Sequence, residues 1–331
     1  MNIFVTGATG FIGSLFVKKI LDAEPGLNVK CGVRASSDRS VLQGRDVEYV
    51  HFDLSDESTY APALSGIDTV IHFAALYDFH APGELLMEYN AIASEKLAVA
   101  AYHAGVSHYV YCSSTEALGI VEDADEDAAF NFDNEYGKSK ARAETLLLSV
   151  GERTGLPLTI ARPTGVIGAG RCYPFNDVII ATDRGLMSVV PGPATGFIHW
   201  TAVEDIADGF VRIVQKRDIS SGKIYNLASD TPQSWIECIQ VICRVLGKHP
   251  PRIHVPPAFA KAGVSLLSLI YPKLGESNFV LRPGNVEKMQ TSRSYRNSMA
   301  RKDLEWRPRV SFQAGVESCV AWLRQRGMIT P

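Results

Sequence analysis

Asn2-Ile3-Phe4-Val5-Thr6-Gly7-Ala8-Thr9-Gly10-Phe11-Ile12-Gly13 is the stretch from which the rest of the chain can be read. The apolar run at its head has the length and composition of a buried strand, and the apolar spacing beyond it (Leu15, Phe16, Ile20, Leu21) is that of a helix. Three glycines at Gly-x-x-Gly-x-x-Gly spacing therefore occupy a strand-to-helix turn, where the first helical N–H groups point outward. Such a turn is a pyrophosphate cradle. Gly7 permits the tight turn, Gly10 removes the side chain beneath the phosphates, and Gly13 lets helix and strand pack. Thr9, Phe11 and Ile12 lie in the same cradle and are expected to touch the ligand.

Around that turn lie 331 residues, enough for one large domain or two lobes about a sizeable core. A net charge of −3 with 46% hydrophobic residues describes a soluble globular chain, with no basic excess to suggest nucleic acid. Met1 leads straight into the first strand, so no leader peptide is expected. The longest late apolar stretch, Ala262–Tyr271, is too short to span a bilayer, so no transmembrane segment is expected either. Cys31, Cys112, Cys172, Cys238, Cys243 and Cys319 lack metal or redox spacing. They read as buried free thiols in a reducing cytosol, and a cytoplasmic location is expected.

A second strand is expected over Asn28–Val33, with Arg34 at its end. An acidic residue at that place would bind a ribose 2′-hydroxyl. Arg34, with Ser36, Ser37 and Arg39 nearby, suits a 2′-phosphate instead and favours NADP over NAD. Val47–Phe52 reads as a third strand ending at Asp53-Leu54, where Asp53 either accepts from an adenine amino group or caps the next helix. Asp68–Ala75 reads as a fourth strand whose small residues, Ala74 and Ala75, leave room for a flat cofactor. His72 within it reads as a packed or cofactor-adjacent histidine. A long helix carrying Asn90 is expected over Glu84–Ala104, a fifth strand over Val106–Ser113, a solvated acidic loop over Glu122–Glu135, a helix from Tyr136 to about Thr154, and a sixth strand over Leu156–Ala161 closed by Arg162-Pro163-Thr164. This alternation means an α/β fold built on a doubly wound parallel sheet (Rossmann) over residues 1–169. Residues 170–331 read mainly as a smaller mixed α/β substrate lobe, some segments of which return to the sheet.

Tyr136 and Lys140 stand four apart and share one helical face, and Ser113-Ser114-Thr115 arrive at a strand end. A phenol, a lysine and a hydroxyl form an acid–base device. The lysine charge is expected to lower the phenol pKa, so that Tyr136 trades a proton with a substrate oxygen that Ser114 orients.

Thr6-Gly7-x-x-Gly10-x-x-Gly13, Asp53-Leu54, His72-x-Ala74-Ala75, Asn90, Ser113-Ser114, Tyr136-x-x-x-Lys140, Arg162-Pro163 and the late Asp303-Leu304-Glu305-Trp306-Arg307-Pro308 together resemble the extended short-chain dehydrogenases/reductases. The group resembled is the NAD-dependent epimerase/dehydratase and 3β-hydroxysteroid dehydrogenase/dihydroflavonol reductase group, and the likeness runs nearly end to end. It implies a catalytic Ser114, Tyr136 and Lys140, with Asn90 as a fourth member acting through a water. It also implies that Lys140 binds the nicotinamide ribose, that Pro163, Thr164 and Val166 line the nicotinamide face, and that two copies pair through the Glu84–Ala104 and Tyr136–Thr154 helices.

Two features direct the reading within that group. Arg34 points to NADP, the pool that cells keep reduced. The arginine and the Phe-Asn-type step that nucleotide-sugar members carry are replaced here by Thr195-Gly196 and Pro163-Thr164-Gly165, and a diphosphate needs cationic donors. Arg171, Arg184 and Arg252 are the remaining candidates for that role. Phe259–Tyr271 suits either a lid over a hydrophobic substrate or an ordinary packing helix. The expected function is NADPH-dependent reduction of a ketone or aldehyde on a medium-sized apolar or aromatic small molecule. The alternative is a sugar epimerase or dehydratase that reduces NAD(P) transiently.

Overall fold

Strand β1 (Asn2–Thr6) is the pivot of the computed structural model, which describes residues 1–170, 172–270 and 283–330. It pairs in parallel with β2 (Asn28–Val33) on one side and with β4 (Thr69–His72) on the other. With β3 (Glu48–His51), β5 (His108–Cys112), β6 (Leu158–Pro163) and the strand Ile224–Leu227, it forms a seven-stranded parallel sheet. The order is Ile224–Leu227, β6, β5, β4, β1, β2, β3. Connections run one way from β1 to β3 and the other way from β4 onward. They part between β1 and β4, and a crevice opens at the carboxyl ends of those two strands. The structure is thus the doubly wound α/β sheet anticipated from the alternation of elements.

Alternate side chains of β1 feed two cores, as a strand covered on both faces requires. Ile3 and Val5 join Phe16, Ile20, Phe210 and Trp306 on one face, while Phe4 joins Phe52, Tyr60, Leu97 and Leu147 on the other. The first face is covered by α1 (Phe11–Ala23) and by the later helix Val203–Gln215, which packs against α1. A third cluster, around Phe175, Trp200, Trp235 and Val316, belongs to the C-terminal half. The six cysteines are free and buried, and Cys172 and Cys319, 147 residues apart, bring their sulfurs to 3.5 Å.

Three local readings need correction. The helix expected over Glu84–Ala104 is interrupted: Gly83–Met87 and Ala93–His103 are α-helical, but Glu88–Ile92 between them makes a π turn. The fourth strand leaves the sheet at His72, three residues sooner than expected, and the chain from Phe73 onward lines the crevice. The acidic stretch Glu122–Glu135 is not simply solvated. Glu126 is buried, its carbonyl accepts from Arg162 Nη1 at 2.9 Å, and its carboxylate accepts from Asn226 N at 3.0 Å. Arg162 itself forms a fully buried, bidentate pair with Glu144 (Nη2–Oε2 2.6 Å), which ties β6 to the helix Glu135–Thr154. Two charges out of water require this geometry to offset their lost hydration.

His72 is fully buried and bridges elements: Nδ1 meets Thr6 Oγ1 at 2.7 Å, and Nε2 meets Ser94 Oγ at 2.9 Å. Burial lowers its pKa to about 3, and lowers those of His108 and His199 to about 4. In the unfolded chain these rings take up protons near the ordinary histidine value, whereas in the fold they stay neutral until well below it. Below that value the unfolded state holds more protons, so stability falls as pH drops from about 6.5 towards 4. Thermal melting followed between those limits should show a steadily falling midpoint. The fall should be shallower in His108→Gln, which removes one of the three groups; an unchanged slope would contradict this assignment.

Candidate active site

The carboxyl ends of β1, β2, β4, β5 and β6 open onto a cavity of about 640 Å³. Its floor is the glycine turn. Gly7 has φ +65°, and a Cβ there would lie 2.8 Å from Ala74 N, while a Cβ on Gly10 would lie 3.0 Å from Gly7 O. A Cβ on Gly13 would strike the carbonyl of Gly7, so this glycine packs the helix on the turn itself. α1 begins at Gly10 with no side chain capping it and no acidic residue in its first turn. Its outward N–H groups therefore face the cavity uncompensated, a donor set suited to an anion. Thr9, Phe11 and Ile12 line the same floor.

At one end, Arg34 and Ser37 form the rim, joined by a turn in which Arg34 N donates to Ser37 Oγ at 3.0 Å. Arg39 turns away and stacks on Tyr49, 5.1 Å from its ring centre. Asp53 and Leu54 line the adjoining wall, and Asp53 Oδ1 accepts from Ser55 N at 2.9 Å and Ser55 Oγ at 2.7 Å, bonds that lower its pKa. Asp56, not Asp53, caps the short helix that follows. Ala74, Ala75, Pro163, Thr164 and Val166 line the middle, with Thr164 Oγ1 held by Thr201 Oγ1 at 2.7 Å. A cradle that added side chains would fill, donors at a helix start and a flat small-residue channel fit a dinucleotide.

Beyond the channel stand Ser114, Tyr136 and Lys140. Asn134 caps the helix Glu135–Thr154, accepting from Gly137 N at 2.8 Å. Gly137 permits close approach here, since a Cβ would strike the carbonyl of Glu116 on the loop that carries Ser114. Of the three adjacent hydroxyls, Ser113 donates to Glu144 and Thr115 is buried, so Ser114 is the hydroxyl left to serve the cavity. Its Oγ accepts from Glu116 N at 3.2 Å, which leaves its proton to donate.

The expected effect of Lys140 on Tyr136 is not what the structure shows. Lys140 Nζ donates to Cys112 O at 2.8 Å and to Tyr111 Oη at 3.1 Å, and lies 5.9 Å from the Tyr136 ring centre. Burial lowers the Lys140 pKa to about 8 and pushes the Tyr136 phenol well above its ordinary value. Desolvation outweighs the lysine charge because Tyr136 is packed beneath Tyr77 and Phe79, each ring centre 5.1 Å from its own. Tyr77 Oη in turn donates to Tyr173 O at 3.0 Å.

Asn90, expected as a fourth member acting through a water, is held by protein partners. It is fully buried behind the wall, where Oδ1 accepts from Leu76 N at 2.8 Å and Nδ2 donates to Leu76 O and Ser139 Oγ, each at 3.0 Å. Its carbonyl, within the π turn, accepts from Ser94 Oγ at 2.8 Å and Tyr111 Oη at 3.3 Å. Asn90 thus fixes the loop that carries Tyr77 and, through Tyr111, the lysine. Tyr111 was missed because a tyrosine inside an apolar strand reads as core. Arg293 was missed because it lies more than 150 residues from its partners Glu116 and Asp133 (3.2 and 2.6 Å). Arg184 and Arg252 are exposed and do not line the cavity, and Arg171 lies outside the described residues. The helix Pro257–Ile270 contributes no described residue to the cavity; Phe259 on it is 72% exposed, and Tyr271 lies outside the described residues.

A family model of the NAD dependent epimerase/dehydratase family matches residues 3–228. Sterol demethylase protein B from Methylococcus capsulatus is 28% identical, over 99% of this chain and 100% of its own length. A 3 beta-hydroxysteroid dehydrogenase/Delta 5-->4-isomerase from Mycobacterium tuberculosis is 24% identical, over 97% of this chain and 90% of its own. The solved structure of a UDP-glucose 4-epimerase from Thermotoga maritima aligns with a TM-score of 0.79 at 20% identity, covering 98% of this chain and 99% of that one, a likeness of fold. The chain belongs to the NAD dependent epimerase/dehydratase family, and it is an NAD(P)-dependent oxidoreductase of the extended short-chain dehydrogenase/reductase type.

Proposed function

We propose that this protein is an NADPH-dependent reductase of ketones or aldehydes, reversible as an alcohol dehydrogenase, acting on a medium-sized apolar or aromatic substrate. The observation that carries this reading is the make-up of the wall facing Tyr136. Tyr77 and Phe79 pack on Tyr136, Tyr173 meets both of them, and Trp200 and Trp235 line the same cavity. The cations in the cavity are largely committed: Arg293 to two carboxylates, and Lys140 to a carbonyl and a phenol. A nucleotide diphosphate asks for free, paired cationic donors. Among the described residues, Arg34, Lys140 and Lys288 are the cavity lysines and arginines without an acidic partner at ion-pair distance; Lys140 is held by the carbonyl and the phenol, and Arg34 is distant. The relatives whose names refer to sterols are consistent with an apolar substrate for this chain.

Bound along the glycine floor by the α1 N-terminus, Arg34, Ser37, Asp53 and the Ala74–Ala75 channel, a nicotinamide cofactor supplies the hydride chemistry that no side chain provides. The chain's own residues handle the oxygen. Ser114 donates to the substrate carbonyl oxygen and orients it. Tyr136, kept protonated by burial, gives its phenolic proton to that oxygen as charge develops there. Lys140, held by Cys112 O and Tyr111 Oη, presents positive charge beside the phenol as it loses that proton. The aromatic cover excludes water from the exchange. Arg34 at the end of β2, where an acidic residue would repel a 2′-phosphate, supports NADP over NAD.

Cofactor titration followed by assay against a panel of hydrophobic ketones and aldehydes tests the whole reading. Turnover with preference for NADPH is expected. Purified protein that already holds NAD(H) and shows no net oxidation would instead favour the transient-redox epimerase or dehydratase. Tyr136→Phe should lower kcat by about a thousandfold or more while cofactor affinity stays within about threefold; an active variant would sink the mechanism. Arg34→Glu should weaken NADPH binding by at least about tenfold and leave NADH binding nearly unchanged, measured by tryptophan fluorescence quenching.

A further inference from the structure

Arg293 comes from the C-terminal half, yet its side chain ends between the two segments that carry the proposed catalytic groups. It is 6% exposed, with Nη1 3.2 and 3.3 Å from the two Glu116 oxygens and Nη2 2.6 Å from Asp133 Oδ2. Glu116 is two residues beyond Ser114, and its backbone N–H donates to Ser114 Oγ. Its carboxylate also accepts from Asn134 Nδ2 at 2.7 Å, and Asn134 is the residue that caps the helix bearing Tyr136 and Lys140. One guanidinium therefore holds a serine-bearing loop and a tyrosine-bearing helix start in a single charged network.

The backbone around Arg293 is anchored on both sides of the cavity. Arg293 N donates to Phe197 O at 2.7 Å, Ser294 N to Val121 O at 3.0 Å, and Arg296 N to Ala124 O at 2.8 Å. Tyr295 Oη adds a bond to Gly119 O at 2.9 Å. Residues 293–296 thus form a strap across the loop that follows Ser114, tied at one end to the strand Phe197–Ile198 of the substrate lobe.

We propose that Arg293 is a positioning residue: it sets the separation of Ser114 from Tyr136 by clamping Glu116 and Asp133, and it couples that separation to the substrate lobe through the strap. This rests on the assignment of Ser114 and Tyr136 made above. Lysine at 293 would keep the charge but lose the planar fork that reaches both carboxylates together.

Arg293→Met and Arg293→Lys, compared with the wild type, provide the test. The readouts are amide hydrogen exchange over segments 114–119 and 135–140, NADPH titration, and steady-state kinetics on the carbonyl panel. In Arg293→Met, exchange in both segments should rise by about tenfold or more while that of β1 to β3 is unchanged. kcat should fall roughly 10- to 100-fold, cofactor affinity should stay within about threefold, and Arg293→Lys should recover part of kcat. An unchanged kcat, an exchange increase spread evenly over the sheet, or no recovery by lysine would each overturn the proposal. Should Arg293→Met fail to fold, Glu116→Gln weakens the same clamp from its other side and is judged by the same readouts. Hydrogen exchange does not depend on turnover, so a protein that reduces no carbonyl would overturn the functional reading while the clamp itself was still measured.

Discussion

The parting of the chain on either side of β1 is the constraint on which the rest depends. Because β2 and β4 both pair with β1 in parallel, the connections leaving it must pass to opposite faces, and a crevice is left where they diverge. At the glycine turn, where backbone meets backbone, there is no room for a side chain. Glycine at positions 7, 10 and 13 and alanine at 74 and 75 follow from this geometry. The positive end of α1 then points into the crevice as a consequence of topology, before any ligand chemistry is considered.

Around this opening the protein tolerates polar groups that would be unfavourable elsewhere. Lys140, Tyr136, Tyr111, Asn90 and the Arg162–Glu144 pair are all buried within a few residues of the cavity, and each is held by named partners, apart from the Tyr136 hydroxyl, which faces the cavity. Such a network is stable only when nearly complete, since removing one partner leaves a buried charge or donor unsatisfied. The site is therefore rigid at its back and adaptable at its front, where Tyr77, Phe79 and Tyr173 meet through ring contacts.

Much of this was legible in the sequence because it is local. The strand–turn–helix at the N-terminus, the limits of β2, and the Tyr136/Lys140 face depend on spacing within one element. What escaped depends on distant contact or on burial. Arg293 meets Glu116 across 177 residues, and Cys172 meets Cys319 across 147, distances at which no periodicity operates. The effect of Lys140 on the phenol was misjudged for a related reason. A four-residue spacing states that two side chains share a face, but not how many aromatic rings cover them. The π turn was hidden because the apolar pattern of residues 84–104 is compatible with an uninterrupted helix.

That π turn bears on how the gene can vary. A π turn is an α-helix with one residue added, so removing any one of residues 88–92 would let the helix close into regular geometry. Everything on its N-terminal side would then rotate by about 100° and shift by about 1.5 Å relative to the Ala93–His103 segment. Asn90 would lose Leu76 or Ser139, and its carbonyl would move away from the Tyr111 hydroxyl. Point substitutions along the exposed side of this helix are cheap by comparison. This segment should accordingly tolerate changes of residue type far better than changes of length, and natural insertions or deletions should fall in the loops flanking it.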